Sequence, residues 1–479
     1  MKNIFRIMVL GGALATASCT DLETQPRQSL TPEVAFADVD GFEALGFTTY
    51  GIARAFNQYG QQMMIAPEIM ADNLRIIANT GRYIGQEANA DRAHMNLWTT
   101  QFWSGINTAN IVLAQIDDVE GNDTQRARVK GEAHFMRALF YFDLARVYGY
   151  EPGKEVNGWD KAVILRTEPT LGFSNADFRA RATNRQVYDL IISDLQTAIN
   201  LLPTASQGTS GVYRASKGAA QALLARVFLY DSKFAEAEAA ATQAMATFGI
   251  SDAGVGLADA DSYIAGFSTA PNPESLFEIE IRSNDWSTVD GVNNSVCSLS
   301  ANVFASAQFI VTATDELIES YEEGDVRKDA WGETTRSGAS GTVYRSNKWL
   351  GHKGDFLENL PIIRAAELFL IRAEARNRKQ SPDDAGARAD LNALRSKRGL
   401  DDVDAALSGA ALFDQIMLER RQEFALEGHR WFDLKRNGLD ITKAGNFENV
   451  PYSDYRLLAP LPTAELQLND QLEQNPGYN

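Results

Sequence analysis

The stretch SKGAAQALLARVFLYDSKFAEAEAAATQAMATF, residues 216–248, decides the fold class of this protein. Small or apolar side chains recur every three or four residues on both sides of a polar break at 231–233; they are Ala220, Leu223, Leu224, Val227, Phe234, Ala237, Ala241, Ala244 and Phe248. This spacing is typical of amphipathic helices. Because both halves are rich in alanine, the two helices can approach closely as an antiparallel pair. The stretch therefore predicts a helical hairpin.

The order of small and aromatic residues in this hairpin resembles the tetratricopeptide pattern, although Gln221 stands where that consensus prefers tryptophan. The same spacing predicts further helices at 99–117, 126–148, 185–201, 361–378, 383–396 and 410–427. The helix with Phe135 and Phe140 is apolar around most of its circumference, so we expect it to be buried centrally. A short strand is predicted at Leu276–Ile281. We therefore expect an all-α protein.

The length and the net charge of the chain restrict its domain organisation and the classes of partner that it can bind. The chain has 479 residues, more than the roughly 250 to 300 at which single cores stop growing, so it forms two domains or one repeat-built body. The helix pairs favour the single body. A net charge of -18, without a concentrated basic patch, argues against a nucleic-acid partner. Two cysteines are too few for a disulfide framework.

The N-terminus reads as a secretory signal at residues 1–18. Lys2 and Arg6 precede an apolar stretch of eleven residues, Ile7–Ala17, which is shorter than the about 20 that span a bilayer. Small residues lead directly into Cys19, the order at which a lipoprotein signal peptidase cleaves before the cysteine is acylated. Thr16 stands where the usual lipobox has leucine, and an ordinary cleavage site with an incidental thiol is the alternative. We predict lipidation at Cys19, a tether at 19–40 and a helical body at 41–479.

The residue types that usually carry chemistry show no pattern typical of a catalytic, metal or cofactor site. We therefore predict no catalytic residue, no metal site and no cofactor. The four histidines lack metal-ligand spacing, and neither a nucleophile elbow nor a phosphate-binding loop is present. Glu419, Glu423 and Glu427 share one helix face, but arginines 420, 421 and 430 are interleaved with them. This pattern favours a structural ion-pair network. An all-helical glycoside hydrolase stays an alternative because it needs only two carboxylates.

Long irregular regions at 150–184, 250–300 and 324–360 are rich in Gly, Ser, Asn and Asp, and loops of this length are often functional. Four of the tryptophans fall in these loops, at Trp159, Trp286, Trp331 and Trp349. An exposed indole can stack on a sugar ring, whose hydroxyls then bind Asp, Asn and Arg side chains. The alternative is that each indole fastens its loop to the body.

Three stretches resemble one family, the SusD/RagB nutrient-uptake lipoproteins of the Bacteroidetes type. The strongest is ERRQEFALEGHRWFDLKR at 419–436. The second is LAPLP at 458–462, followed by QNPGY at 474–478, and the third is the helix PIIRAAELFLIRAEA at 361–375. These motifs lie in the predicted helices and the C-terminal segment, so they specify the scaffold.

The resemblance implies a single large body of tetratricopeptide-like helix pairs with a loop-rich ligand-binding subdomain and no enzymatic activity. It also implies a protein anchored by lipid in the outer membrane and facing the cell exterior. There it would capture an oligosaccharide and deliver it to a TonB-dependent transporter of the SusC type. The ligand positions of the family are variable loops, so no ligand residue is carried over.

Our candidates for ligand binding are polar and aromatic residues after Pro67 and in the loops: Asp72, Asn73, Arg75, Arg82, Tyr83, Trp98, Trp286, Trp331 and Trp349. Stacking on the aromatic rings would supply affinity, and the Asp, Asn and Arg side chains would orient the sugar. A glycan-degrading enzyme and a helical scaffold that binds peptides or proteins stay open as alternatives. The sequence names neither the glycan nor the stoichiometry with the transporter.

Overall fold

The computed structural model describes residues 36–99, 101–172 and 174–478. The predicted signal, Cys19 and most of the tether lie outside these residues. Within them the helices, numbered α1 to α17 in chain order, are Val39–Ala53, Gln62–Met70, Ile84–Glu87, Phe102–Gln115, Asp123–Tyr148, Asn184–Leu201, Lys217–Tyr230, Phe234–Phe248, Tyr263–Gly266, Thr288–Asn294, Val296–Ser300, Asp315–Glu319, Ala365–Arg378, Asp384–Ser396, Gly409–Glu423, Arg430–Arg436 and Thr463–Leu468.

The predicted hairpin is confirmed as α7 and α8. Ser216 caps α7 because its hydroxyl accepts the backbone N–H of Ala219 at 3.2 Å. The break between the helices turns through Ser232, whose φ is 56°, and Gly249 ends α8 in the left-handed conformation. The alanines at the contact are buried, as close packing of the pair requires.

The helices from α4 to α8 form a row in which each packs against the next, and the row continues through α13, α14 and α15. Helix α13 packs against α8 although more than 100 residues separate them in the chain. The prediction of an all-α body built from tetratricopeptide-like helix pairs is confirmed. None of the described helices is long and apolar enough to cross a membrane.

Helix α5 packs between α4 and α6, and its residues from Phe135 to Tyr148 are all buried, as predicted. The charged side chains on this buried segment have partners. Arg137 donates to both carboxylate oxygens of Asp194 on α6, at 2.7 and 2.8 Å. Asp143 pairs with Arg146 and accepts a hydrogen bond from Tyr59 at 2.7 Å. Such pairing offsets the cost of removing charges from water.

Six short strands, β1 to β6 in chain order, pair antiparallel as β1–β3, β2–β6 and β4–β5; their ranges are Leu74–Ile76, Ser275–Ile279, Val311–Ala313, Trp331–Thr334, Val343–Ser346 and Leu360–Arg364. The strand predicted at 276–281 is confirmed as β2. The helix predicted from 361 was wrong at its start, because residues 360–364 pair with β2 and α13 begins only at Ala365.

The helix predicted at 410–427 was wrong at its end, because α15 stops at Glu423. Leu426 and Gly428 have φ angles of 61° and 79°, so the chain turns sharply there and resumes as α16. A Cβ at Gly428 would lie 1.8 Å from the Met63 carbonyl oxygen, which leaves room only for glycine. The regions 150–184, 250–300 and 324–360 hold only short helices and strands.

Candidate functional site

The glutamates of α15, the carboxylates that could have been catalytic, are buried in ion pairs. Glu423 accepts hydrogen bonds from Arg398 at 2.9 and 3.0 Å and from Arg364 at 2.9 Å. Glu419 accepts from Arg327 and Arg395, both at 2.6 Å. Burial raises the pKa of Glu423, but the charges of Arg398 and Arg364 outweigh it and hold that pKa well below its usual range. The Glu423 carboxylate is therefore ionised and held by hydrogen bonds from arginines, so its role is structural.

The ion-pair network is confirmed, but the partners predicted from the sequence were wrong. The interleaved Arg420 pairs with Asp433, while Arg421 and Arg430 both reach Asp72. The cations that surround the glutamates come from a 3₁₀ turn (Arg327), the end of β6 (Arg364), helix α14 (Arg395) and the turn after that helix (Arg398). The spacing of the glutamates on one helix identified the acidic cluster. The arginines that pair with it are set by the tertiary packing of separate elements.

Two of the predicted ligand residues, Asp72 and Asn73, serve this scaffold. Asp72 accepts two hydrogen bonds from the Arg430 guanidinium, at 2.6 and 2.8 Å. Asn73 is buried; its amide donates to Glu68 at 2.7 Å and its carbonyl accepts from Arg421 at 2.8 Å. Both side chains are thus engaged within the protein.

The loop tryptophans do not present the exposed rings on which their prediction depended. Trp349 is 1% exposed and its Nε1 donates to the Leu426 carbonyl at 3.1 Å. Trp331 is buried and donates to the Tyr321 hydroxyl at 3.2 Å. The Trp286 ring is buried against Gly60, where a Cβ would lie 2.9 Å from it. These indoles fasten their loops to the body, because the burial of a large apolar ring stabilises the folded protein.

Arg75 and Trp98 line two other, separate cavities. Arg75 donates to the Thr342 carbonyl at 2.6 Å and lines a cavity of about 110 Å³ together with Glu87 and Lys443. Trp98 is buried edge-on against Trp103 and lines a cavity of about 380 Å³. In that second cavity Asn107 exchanges two hydrogen bonds with the backbone of Thr170, while Trp103 Nε1 has no partner among the described residues.

The two remaining candidates, Arg82 and Tyr83, line one cavity of about 300 Å³, which we call the Arg82 pocket. Its volume lies at the lower end of the range for small-ligand sites, about 300 to 1,000 Å³. The lining residues are Phe56, Asn57, Gln61, Gln62, Ala66, Arg82, Tyr83, Gln86, His94, Asn96 and Asn294. An aromatic ring can stack on the face of a sugar, and the amides around it can bind the hydroxyl groups of the sugar.

The loop between α1 and α2 supplies one wall of the Arg82 pocket. Phe56 on this loop is 43% exposed, one of the large apolar side chains that the structure leaves open to solvent. Gly60, a few residues on, lies directly against the buried Trp286 ring, so the loop rests on a rigid base. The ring of Phe56 is thereby held at the surface beside the amides.

The opposite wall is a strained segment before and after α3. Tyr83, Asn89 and Arg92 all have positive φ angles, 58°, 44° and 60°, although none is a glycine. Three such residues within ten positions cost free energy that surrounding contacts must offset, and strain of this kind concentrates at functional sites. From this segment the Tyr83 hydroxyl donates to Gln61 Oε1 at 2.8 Å.

Gln61 and Arg82 are two of the hydrogen-bond donors in the lining of the pocket. Gln61 is buried, its Oε1 is occupied by Tyr83, and its Nε2 has no partner among the described residues. Arg82 Nη1 donates to the Asn293 carbonyl, and no carboxylate of the described chain pairs with this guanidinium. Arg82 is only partly buried and lines the pocket, so its guanidinium can donate to a ligand oxygen there.

A second cavity, of about 190 Å³, adjoins the Arg82 pocket. The two cavities share His94 and the exposed Asn96, and the second also borders Arg92 and the turn at 460–463. Burial and the nearby Lys435 lower the pKa of His94 to about 3, so its imidazole is neutral. The two cavities are therefore neighbours that meet at His94 and Asn96.

A larger cavity, of about 700 Å³, lies elsewhere, between the N-terminus of α5 and the C-terminus of α6. Its walls contain no aromatic ring. Its polar side chains are engaged as well: Gln125 donates to Asp40 and Glu43, and Arg128 pairs with Glu43. The described residues contain no cluster of histidine, cysteine and carboxylate side chains suited to a metal ion.

Sequence reasoning missed most of the lining of the Arg82 pocket, above all Phe56, Asn57 and Gln61. A signal was present in FNQYGQQ at 56–62, where an aromatic stands among amides between two helices. The sequence prediction favoured the loop tryptophans instead, because tryptophan is the strongest stacking residue. The exposure of a ring depends on tertiary packing, and this packing leaves Phe56 open and covers Trp349.

Comparisons with known proteins agree with the architecture. Residues 47–229 match a family of starch-binding proteins associating with the outer membrane, and residues 299–478 match the SusD family. SusD-like protein P2 of Formosa agariphila is 24% identical, over 99% of both chains. A SusD superfamily protein from Bacteroides vulgatus has 25% identity and a TM-score of 0.80, over 93% of this chain and all of its own.

A solved SusD-like protein that binds laminarin has 25% identity and a TM-score of 0.73, over 92% of this chain and all of its own. The motifs at 361–375, 419–436 and 458–478 form the buried ion pairs and the C-terminal turns that hold this architecture together. Sequence and structure therefore agree, and the chain belongs to the SusD/RagB family.

Proposed function

We propose that this protein is a glycan-binding lipoprotein of the outer membrane that captures an oligosaccharide in the Arg82 pocket. The observation that carries the proposal is the exposed Phe56 ring beside amides with uncommitted hydrogen-bonding groups. A sugar offers a weakly apolar ring face and many hydroxyls, which match these two kinds of group. Among the residues predicted from the sequence, Arg82 and Tyr83 are the ones that we keep as ligand contacts.

The ligand is an oligosaccharide of more than one ring. The adjoining cavity near Arg92 extends the Arg82 pocket along the surface at Asn96, so a second sugar unit has a place beside the first. Family membership, with relatives that bind starch and laminarin by name, supports a glycan over a peptide. The buried, charge-paired state of Glu419 and Glu423 supports binding without catalysis.

We further propose that the protein is acylated at Cys19, faces the cell exterior and delivers its ligand to a TonB-dependent transporter of the SusC type. The signal-like residues 1–18 and the family support this arrangement. Co-purification from membranes with a transporter of that class tests the partnership, with the tether truncated as the control.

Isothermal titration calorimetry against a panel of oligosaccharides tests the binding function. We expect Phe56→Ala to weaken binding by about 1–2 kcal/mol, a factor of about 5 to 30, because the stacking ring is lost. Phe447 is 40% exposed and lines the separate cavity with Arg75, so Phe447→Ala is the matched control and should keep wild-type affinity. Equal affinities of the two variants, or sustained glycan hydrolysis by the purified protein, would contradict the proposal.

A further inference from the structure

We infer that the Arg82 pocket selects anionic glycans, which carry carboxylate or sulfate groups, over neutral ones. This inference rests on the proposed glycan-binding function and names the chemical class of its ligand. It depends on the charges and hydrogen-bonding groups that line the pocket, which differ in kind from those of the other cavities.

The lining of the Arg82 pocket contains one cation and no anion. Arg82 is its only charged side chain, because His94 is neutral and the remaining polar residues are amides and Tyr83. The adjoining cavity likewise has Arg92 and no carboxylate in its lining. The chain as a whole has 63 acidic residues and a net charge of -18, so a pocket free of carboxylates stands apart from its surface.

The other cavities of the described residues show the contrast. Asp177 and Glu465 line the cavity beside Trp98, Glu87 lines the cavity beside Arg75, and Asp123 lines the cavity of about 700 Å³. Carboxylates are suited to neutral sugars because they accept hydrogen bonds from hydroxyl groups. They would repel a uronate or a sulfate.

Two acidic side chains in this region lie close to other cations. Asp285, next to the Trp286 ring that supports the Phe56 loop, pairs with Arg54 at 2.7 Å. Asp91 lies 3.8 Å from the Arg92 guanidinium. The charge of Arg82 is therefore not cancelled by a carboxylate at short range.

The uncommitted hydrogen-bonding groups also favour a ligand rich in acceptors. Gln61 Oε1 already accepts the Tyr83 hydroxyl at 2.8 Å, which reduces its capacity to accept a hydrogen bond from a ligand. A guanidinium is a donor without any acceptor capacity. Hydrogen bonds between such donors and an anionic oxygen are shorter and about twice as strong as those between neutral groups.

The test compares matched pairs of oligosaccharides by calorimetry: oligogalacturonate with its methyl ester, and a sulfated galactan oligosaccharide with its desulfated form. We expect at least one anionic member to bind about 10- to 100-fold more tightly than its neutral counterpart, and this preference to shrink as salt rises. The two pairs distinguish a carboxylate from a sulfate ligand. A panel of further neutral glycans, laminarin oligosaccharides among them, is measured alongside.

Arg82→Gln should abolish the preference for the charged member, whereas Arg82→Lys should keep part of it because the charge is retained. Gln61→Glu is a second variant that preserves the hydrogen bond from Tyr83 and adds a negative charge; it should weaken anionic binding and spare neutral binding. Thermal unfolding confirms that each variant is folded.

The outcomes separate the inference from the function on which it rests. Tight binding of neutral glycans with equal or weaker binding of the anionic forms would overturn the inference and leave the glycan-binding function intact. A preference for anions that survives Arg82→Gln and Gln61→Glu would also overturn it. Absence of binding to every member of the panel would contradict both.

Discussion

Arg364 and Glu427 form a bidentate ion pair in which Nε and Nη2 each donate to a different carboxylate oxygen at 2.8 Å. Arg364 ends β6, just before α13, and Glu427 lies in the turn after α15, so the pair joins two of the motifs by which the family is recognised. The same guanidinium donates to Glu274 and Glu423. The network thus ties three separate segments together inside the body.

The ion-pair network predicts a strong stability effect at Glu423. Glu423→Gln removes the negative charge between Arg364 and Arg398 and leaves both cations buried without it, so we expect a loss of about 3–5 kcal/mol of unfolding free energy. Glu448 is exposed, and Glu448→Gln should change stability by less than about 0.5 kcal/mol. Urea unfolding followed by circular dichroism measures both. Similar stabilities of the two variants would show that the network is dispensable.

The turn after α15 predicts a steric effect at Gly428. Gly428→Ala places a methyl group 1.8 Å from the Met63 carbonyl oxygen in a left-handed backbone, so we expect destabilisation of about 3–5 kcal/mol. Gly445 has a similar φ of 70° with no atom within 4 Å of a Cβ. Gly445→Ala should therefore cost only the backbone strain, about 1–2 kcal/mol. Equal losses at the two sites would rule out the steric clash.

The buried His94 predicts a dependence of stability on pH. Its pKa is lowered to about 3 in the folded protein, whereas the unfolded chain binds a proton near 6.5. Stability is therefore unaffected by this group above about pH 6.5 and falls by about 1.4 kcal/mol per unit below it. His94→Asn can still accept the Met95 N–H through its side-chain oxygen and should flatten the slope between about pH 6 and 4. Chemical denaturation at a series of pH values measures the slopes, and an unchanged slope would refute the prediction.

Membrane attachment predicts a difference between the two cysteines. Cys19→Ser removes the site of acylation, so the protein should leave the membrane fraction, since several acyl chains are needed for stable anchoring. Cys297 is buried in the body, and Cys297→Ser should remain with the membranes. Fractionation of cells followed by immunoblotting distinguishes them. Release of both variants, or retention of both, would contradict acylation at Cys19.

Helical periodicity at 216–248 was sufficient to predict the α7–α8 hairpin, because residues three and four apart face the same neighbour whatever surrounds them. The motif at 419–436 similarly identified the acidic cluster of α15. Its partners were mispredicted, because Arg327, Arg364 and Arg398 are between 25 and 96 positions away and reach the glutamates only after folding. Local spacing cannot specify a contact of that range.

The sequence by itself determined the all-α class, the helix pairs and the family, because these depend on periodicity and on short motifs that specify the scaffold. The tertiary structure alone decided the candidate site. It buried Trp331 and Trp349, engaged Asp72 and Asn73 with arginines, and left Phe56, Gln61 and Arg82 around one cavity. The physical reason is that exposure, uncommitted donors and local charge balance are properties of the packed chain and not of any single residue.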